Sequence, residues 1–204
     1  MFVRNGDGVV DGDRDYVVPS WDQVYDMTLG LAFNVRSSSF KPELIVGISR
    51  GGWIPGRLLS DLLVDVRTAN VKIEYYDGFV NRRRVPTVTQ QLSAEELSGK
   101  KVLVVDDIVD SGESLKVAVM HINDKGASVV RTATMYYKPS STFRPDFYAC
   151  ETTGWVVFPW ERLELTQLLL REKQDIQAVM ETLTGIGLDE KIVKVLLELA
   201  ERQQ

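Results

Sequence analysis

The 204-residue chain has almost no sulfur or imidazole chemistry, with one cysteine and one histidine. A lone Cys150 excludes an intrachain disulfide and fits a reducing cytoplasm. One His and one Cys cannot build a zinc site of the usual kind. His121 falls inside a helical pattern with no evident partner, so neither residue is assigned to a Cys–His nucleophile pair. Any divalent ion must then be held by carboxylates and ligand oxygens, which suits magnesium. Positive charge is also scarce: 24 Lys and Arg against 29 Asp and Glu leave a net charge of -5. That balance argues against non-specific binding to nucleic acid or to an anionic membrane, while leaving room for a local cationic site. No run of about 18 apolar residues occurs, so no membrane span is expected. The opening segment lacks the apolar stretch of a secretory signal, and a cytoplasmic location is expected.

What is present is ordinary globular composition, 44% hydrophobic and 26% charged, enough for one sizeable core and a small appendage. Residues 1–18 are rich in Gly and Asp without periodicity and read as a solvated acidic arm. Asp11, Asp13 and Asp15 have the spacing of a calcium loop, but Tyr16 stands where that loop needs glycine. Ser20 is a candidate N-cap for a helix to about Asn34, with Val24, Met27, Leu31 and Val35 on one face. Leu44–Ile48 reads as a strand, Trp53–Leu63 as a helix, and Val66–Tyr75 as an alternating strand with Val71, Ile73 and Tyr75 on one side. Residues 77–99 are polar and read as a mobile loop or β-arm. Val102–Val105 has the continuous apolar character of a strand buried on both faces, Leu115–Asn123 reads as a helix, and Val129–Tyr137 as a further strand. Strands alternating with helices imply an α/β fold with a central parallel sheet flanked by helices. Beyond Pro159 the pattern is helical: Leu165, Leu168, Leu169, Ile176, Val179, Met180 and Leu183 share one spacing up to Gly185–Gly187. Ile192, Val195, Leu196 and Leu199 then mark a second amphipathic helix. These apolar faces must be covered by the core or by another subunit, and a homo-oligomer is expected.

Chemistry concentrates after the buried strand, in Val102-Leu103-Val104-Val105-Asp106-Asp107-Ile108-Val109-Asp110-Ser111-Gly112-Glu113-Ser114. In an open parallel sheet, ligands bind beyond the carboxyl ends of the strands. Asp106 and Asp107 therefore stand at a crevice rim. The following Asp110–Ser114 supplies hydroxyls, a glycine and helix-start amides suited to a phosphate. Acids beside a phosphate cradle suit a sugar phosphate. Taken alone, such a strand end could equally carry capping residues.

This segment resembles the phosphoribosyl-diphosphate signature of the type I phosphoribosyltransferases, and the resemblance covers roughly residues 19–162. It implies that fold, Rossmann-like, with a small hood at about 138–162 and a flexible loop at 77–92. Residues 1–18 would be an arm and 163–204 a helical extension. It implies that Asp106 and Asp107 contact ribose hydroxyls directly or through magnesium, and that Asp110, Ser111, Gly112, Glu113 and Ser114 bind the 5′-phosphate. Ser49, Arg50 and Gly51, within Ile48–Arg57, are similar to the diphosphate loop of bacterial xanthine-guanine enzymes, where the peptide is often cis. An Asp at position 110 is typical of the hypoxanthine, guanine and xanthine branch, where it acts at purine N7 as a general base. Lys138 matches the donor to the 6-oxygen and Trp155 the aromatic that stacks on the base. Val156 and Glu161 match positions near the 2-substituent. Trp160 reads as packing.

The implied activity is transfer of 5-phosphoribosyl to N9 of a 6-oxopurine in purine salvage, with small-molecule substrates and no nucleic-acid partner. Two alternatives stand beside it: a regulator of the same fold that binds phosphoribosyl diphosphate and nucleic acid, and an enzyme with another acceptor base. Arg82–Arg84 reads as a solvated basic run, with a diphosphate contact in a closed state as the alternative. Thr142 stands where relatives often carry an Arg, with Arg144 the nearest substitute, and Tyr75-Tyr76-Asp77 replaces the Ser-Tyr of human-type relatives.

Overall fold

A computed structural model describes residues 9–11, 14–64, 66–77, 84–92 and 97–201. The chain divides into two compact units, the larger spanning Tyr25–Thr152 and the smaller combining Arg4–Val24 with Thr153–Gln204. Helix α1 (Trp21–Ser37) begins at the capping box that Ser20 foreshadows: the Gln23 N–H donates to Ser20 Oγ (3.2 Å) and the Ser20 N–H to Gln23 Oε1 (2.8 Å). Val24, Met27, Leu31 and Val35 are fully buried along it, as their spacing predicts.

In the larger unit a six-stranded sheet forms around β3 (Leu44–Ser49) and β6 (Lys101–Val109). β4 (Arg67–Asp77) and β7 (Val129–Tyr137) flank these two, and β5 (Arg84–Gln90) and β8 (Phe147–Glu151) lie at the edges, in the order β5-β4-β3-β6-β7-β8. All pairings are parallel except β4 with β5. Helix α2 (Trp53–Leu62) packs on β3 and β6. Helix α3 (Glu113–Asp124) presents Leu115, Ala118 and Ile122 to a core of Val46, Ile48, Val71, Val102 and Val104. Side chains alternate across a strand, so Val102 and Val104 meet this core while Leu103 and Val105 are buried on the opposite face.

Within the segment expected as a mobile loop or β-arm, residues 84–90 form β5, antiparallel to β4, so this part is a β-arm. Residues 78–83, which include Arg82 and Arg83, lie outside the described residues. β8 has no counterpart in the sequence reading. Its entrance is fixed by Asp146, whose Oδ2 accepts from the Thr132 N–H and hydroxyl (both 2.9 Å), while Thr132 Oγ1 accepts from the Asp146 N–H (2.9 Å).

For its described residues, 9–11 and 14–18, the smaller unit corrects the expectation of a solvated arm, while residues 1–8, 12 and 13, Asp13 among them, lie outside the described residues. β1 (Val9–Asp11) and β2 (Arg14–Val17) form a hairpin, and β2 pairs in parallel with β9 (Trp155–Val156). Tyr16 and Val17 are buried, and apolar burial is what holds this short segment in place. The single helix expected over 165–183 is two, α4 (Arg162–Lys173) and α5 (Ile176–Gly185). Gln174 adopts a left-handed φ of 52°, and Asp175 caps the new helix by accepting from the Gln177 N–H (3.0 Å). With α6 (Glu190–Glu201) these helices bury Leu165, Leu169, Val179, Leu183, Val193 and Leu197 around Tyr16 and Val157. In α6 the buried set is Val193, Leu197 and Ala200; of the expected Ile192, Val195, Leu196 and Leu199, only Leu196 packs partly buried against this core, and the other three are exposed. Apolar residues line more than one side of α6, so packing against α4 and α5 decides which face turns inward.

Two glycine substitutions separate close approach from mere flexibility. A Cβ at Gly52 would collide with Val105 O and lie 2.8 Å from Ile48 N and 2.9 Å from Asp106 Cα, all backbone atoms that cannot turn aside. Gly52→Ala is expected to lower stability by about 3 kcal/mol in chemical denaturation. Gly30, inside α1 with nothing within 4 Å of an added Cβ, should instead gain about 0.5–1 kcal/mol as Ala.

Candidate active site

Near its carboxyl end β6 carries its apolar run into two carboxylates that are themselves buried, Asp106 and Asp107, before Ile108 and Val109 complete the strand. Buried carboxylates need hydrogen-bond donors. Asp106 Oδ1 accepts from the Asp107 N–H (3.1 Å) and Asp107 Oδ1 from the Ile108 N–H (2.8 Å), so the strand's own backbone orients both. The turn from β3 to α2 lies against this pair. Its Ser49–Arg50 peptide is cis, and a Cβ on Gly51 would occupy the space of the Asp107 carboxyl. Asn70 Nδ2 on β4 donates to Ser49 Oγ (3.1 Å), holding the turn from the other side, and Arg50 is exposed at the rim.

Asp110 to Ser114 forms a tight loop into α3. Ser111 Oγ accepts from the Glu113 N–H (3.3 Å), and Gly112 has φ 86°, a conformation that glycine adopts without steric cost. Gly112 is also a contact point: an added Cβ would stand 2.6 Å from both Phe143 Cβ and Ser141 Oγ. The segment after β7 is tied down on this loop, because the Thr142 N–H (3.1 Å) and hydroxyl (2.9 Å) both donate to Ser111 O. Tyr75, at the end of β4, shares a hydrogen bond with Ser114 Oγ (2.8 Å). The resulting small cleft is lined by Tyr75, Asp106, Ile108–Gly112, Ser114 and Leu115. At its edge Lys138 Nζ meets Asp110 Oδ2 at 2.9 Å, and the Lys138 N–H donates to Val109 O (2.9 Å). Two adjacent strand ends thus present an acid and a cation side by side.

The larger unit therefore gathers Ser49, Arg50, Gly51, Asp106, Asp107, Asp110–Ser114 and Lys138. Trp155, Val156 and Glu161 belong to the smaller unit, where β9 is held by β2. Trp155 is 40% exposed, with Tyr16 stacked beside it (6.0 Å, 23°) and the Arg14 guanidinium 5.2 Å from its ring centroid. Arg14 forks onto both oxygens of Glu172 (2.9 and 3.0 Å), which holds the Glu172 carboxyl below its usual range. Glu161 Oε2 accepts from the Phe158 N–H (3.3 Å). Trp160 stacks on Phe158 (4.7 Å, 6°) and meets Trp21, the packing role read for it.

Sequence reasoning noted Tyr75 and Thr142 only as departures from the family pattern, and missed Arg14, Tyr16 and Glu172 around Trp155. Tyr75 has the alternation of a core residue, and only the extension of β4 beyond α3 makes it a rim residue. Arg144, the substitute considered for the absent Arg, donates to Tyr148 Oη (2.8 Å), and Tyr148 in turn donates to Glu151 (2.8 Å).

Cys150 is buried on β8, and burial pushes its thiol up from the usual value. In the folded protein Cys150 should resist a thiol reagent near neutral pH and react once with the chain unfolded. Full reaction of the native protein would refute this.

A model of the phosphoribosyl transferase domain matches residues 20–162. Xanthine-guanine phosphoribosyltransferase from Cereibacter sphaeroides is 32% identical over 158 residues, covering 70% of this chain and 84% of that protein. The enzyme of the same name from Ruegeria is 30% identical over 154 residues, covering 70% and 83%. Among solved structures, purine phosphoribosyltransferase from Pyrococcus horikoshii superposes with a TM-score of 0.63 at 32% identity, over 71% of this chain and 93% of that one. A Neisseria gonorrhoeae protein with bound ppGpp shares the fold over 90% of this chain and 96% of its own (TM-score 0.68, 21% identity). With its mostly parallel sheet, its acid pair near the end of β6 and the tight loop into α3, the chain belongs to the phosphoribosyl transferase family.

Proposed function

We propose that this protein transfers the 5-phosphoribosyl group of phosphoribosyl diphosphate to N9 of a 6-oxopurine, hypoxanthine, guanine or xanthine, in purine salvage. The observation that carries the choice of base is the Asp110–Lys138 pair at 2.9 Å. N7 and O6 are neighbours on one edge of a 6-oxopurine. A carboxylate that takes the N7 proton and an ammonium that donates to O6 fit that edge together, whereas the 6-amino group of adenine offers the ammonium no acceptor. The names of the curated relatives, xanthine-guanine phosphoribosyltransferases, point the same way.

In this reading the bond from C1′ to the diphosphate oxygen breaks as the bond to N9 forms, and positive charge develops on the ribose ring. Asp106 and Asp107 hold the ribose hydroxyls, Asp110–Ser114 the 5′-phosphate, and Ser49–Gly51 the diphosphate. Asp110 receives or shares the N7 proton. Trp155 offers a stacking face, and Val156 and Glu161 address the 2-substituent. Among the described residues no three His, Cys, Asp or Glu side chains cluster as a metal site. The adjacent Asp106 and Asp107 fit an ion that takes one or two carboxylates and completes its shell with substrate and water oxygens, as magnesium does. Bound there, magnesium would neutralise charge on the diphosphate. Among the described residues no helix is long and apolar enough to cross a membrane. We place the protein in the cytoplasm, acting on small molecules as a homo-oligomer.

Incubation with magnesium, phosphoribosyl diphosphate and each of hypoxanthine, guanine, xanthine and adenine tests the proposal. Nucleotide should form from at least one oxopurine. Turnover of adenine alone would move the assignment to another acceptor, and no turnover at all would remove it. Asp110→Asn should lower kcat by about 10²–10⁴-fold with the KM for phosphoribosyl diphosphate nearly unchanged. Asp106→Asn combined with Asp107→Asn should chiefly raise that KM.

A further inference from the structure

β4 carries one face of its alternating side chains past the end of the core. Val71 and Ile73 are buried with Leu115, Ala118 and Ile122 of α3, and Tyr75 is the next residue on that face. Pairing with β5, which sets Pro86 opposite Tyr75, holds the backbone there. Tyr75 clears the core and is 39% exposed. Its phenol hydroxyl reaches the first turn of α3 and lies 2.8 Å from Ser114 Oγ. Both residues line the small cleft shared with Asp106, Asp110, Ser111 and Gly112. Among the described residues that line this cleft there are two carboxylates and no Lys or Arg. Lys138, at its edge, is engaged by Asp110. A phosphate in the cleft must therefore be held by neutral donors, the loop amides and the hydroxyls. One of those amides, the Glu113 N–H, is directed at Ser111 Oγ (3.3 Å).

We propose that Tyr75 is a further binding residue for the 5′-phosphate of phosphoribosyl diphosphate, its phenol hydroxyl donating to a phosphate oxygen beside the Ser114 hydroxyl. This rests on the assignment of Asp110–Ser114 to the 5′-phosphate and adds to it a donor from a separate strand. Each of the two hydroxyls carries one proton. A hydrogen bond between them uses one proton of the pair, whereas an anion that meets both uses the two. Hydroxyls as close as these can serve a single phosphate group. A donor bond to an ionised oxygen is also stronger than one between two neutral groups. The phenol spans the distance from β4 on two side-chain torsions, so little freedom is lost in holding it there. Packing at the end of the core would need the ring of Tyr75 and not its hydroxyl.

Equilibrium binding tests this with two probes, ribose 5-phosphate for the 5′-phosphate and inorganic diphosphate for the other end of the donor. Tyr75→Phe keeps the ring and removes the hydroxyl. It should weaken ribose 5-phosphate and phosphoribosyl diphosphate by about 10–100-fold. Binding of inorganic diphosphate should be nearly unchanged. In turnover the KM for phosphoribosyl diphosphate should rise by the same factor, with kcat and the KM for the oxopurine nearly unchanged. Ser114→Ala separates a direct contact from a prop. In that background a Tyr75 that touches the phosphate still makes Tyr75→Phe weaken ribose 5-phosphate. No further loss there would mean that Tyr75 acts only by orienting Ser114, and would overturn the inference. Equal loss of inorganic diphosphate affinity would overturn it too. If Ser114→Ala weakens ribose 5-phosphate and Tyr75→Phe does not, this inference alone falls. If Ser114→Ala has no effect, or the native chain binds neither ribose 5-phosphate nor phosphoribosyl diphosphate, the 5′-phosphate assignment falls and takes this one with it.

Discussion

The site rests on one steric condition: the backbone of the β3–α2 turn must lie directly against the end of β6. Gly51 and Gly52 meet it by having no Cβ, since one at Gly51 would intrude on the Asp107 carboxyl and one at Gly52 on the backbone of Val105 and Asp106. The geometry of the candidate site depends on this contact. It brings the Ser49–Gly51 turn, a source of backbone and guanidinium donors, beside two buried carboxylates, so groups from two separate strand ends face one small volume. Two hydrogen bonds from consecutive backbone amides then help to orient the carboxylates.

A second dependence follows along the sheet. Parallel pairing of β6 with β7 aligns Val109 with Tyr137, so the residues just beyond them, Asp110 and Lys138, emerge side by side. The ion pair is thus a product of strand register. The loop after β7 is then anchored to the loop after β6 by two donors on a single residue, Thr142, both directed at Ser111 O. In place of a long cation at that position the chain uses a short side chain that bridges the two loops. The pair is partly solvated, with Asp110 the more exposed partner, so its attraction is modest and it can open to a ligand without large cost.

Much of this was legible in the residues. β3, α2, β6, α3 and β7 announce themselves through buried runs and helical spacing because their patterns are local. Val102–Ser114 was the most legible of all, since strand, acids and the loop into α3 are contiguous. What escaped was decided across long separations. β8 depends on Asp146 reaching Thr132. The break between α4 and α5 interrupts an apolar period that continues on both sides of it, and Asp175 looks like any surface acid until its cap is seen. Tyr16 and Val17 are too few to reveal burial, because the strand that receives them lies well over a hundred residues away. Tyr75 carries core alternation yet ends as a rim hydroxyl on Ser114.

The pairing of β2 with β9 bears on the order in which the protein can be made. The ribosome releases Arg14–Val17 early, but the Trp155–Val156 strand that shelters it appears only after the whole of the larger unit has emerged. During synthesis Tyr16 must wait in the open, and the loop that its docking closes is among the longest the chain offers. The larger unit has emerged before that strand appears, whereas the smaller one, assembled from segments before and after it, is a late event in the life of each molecule.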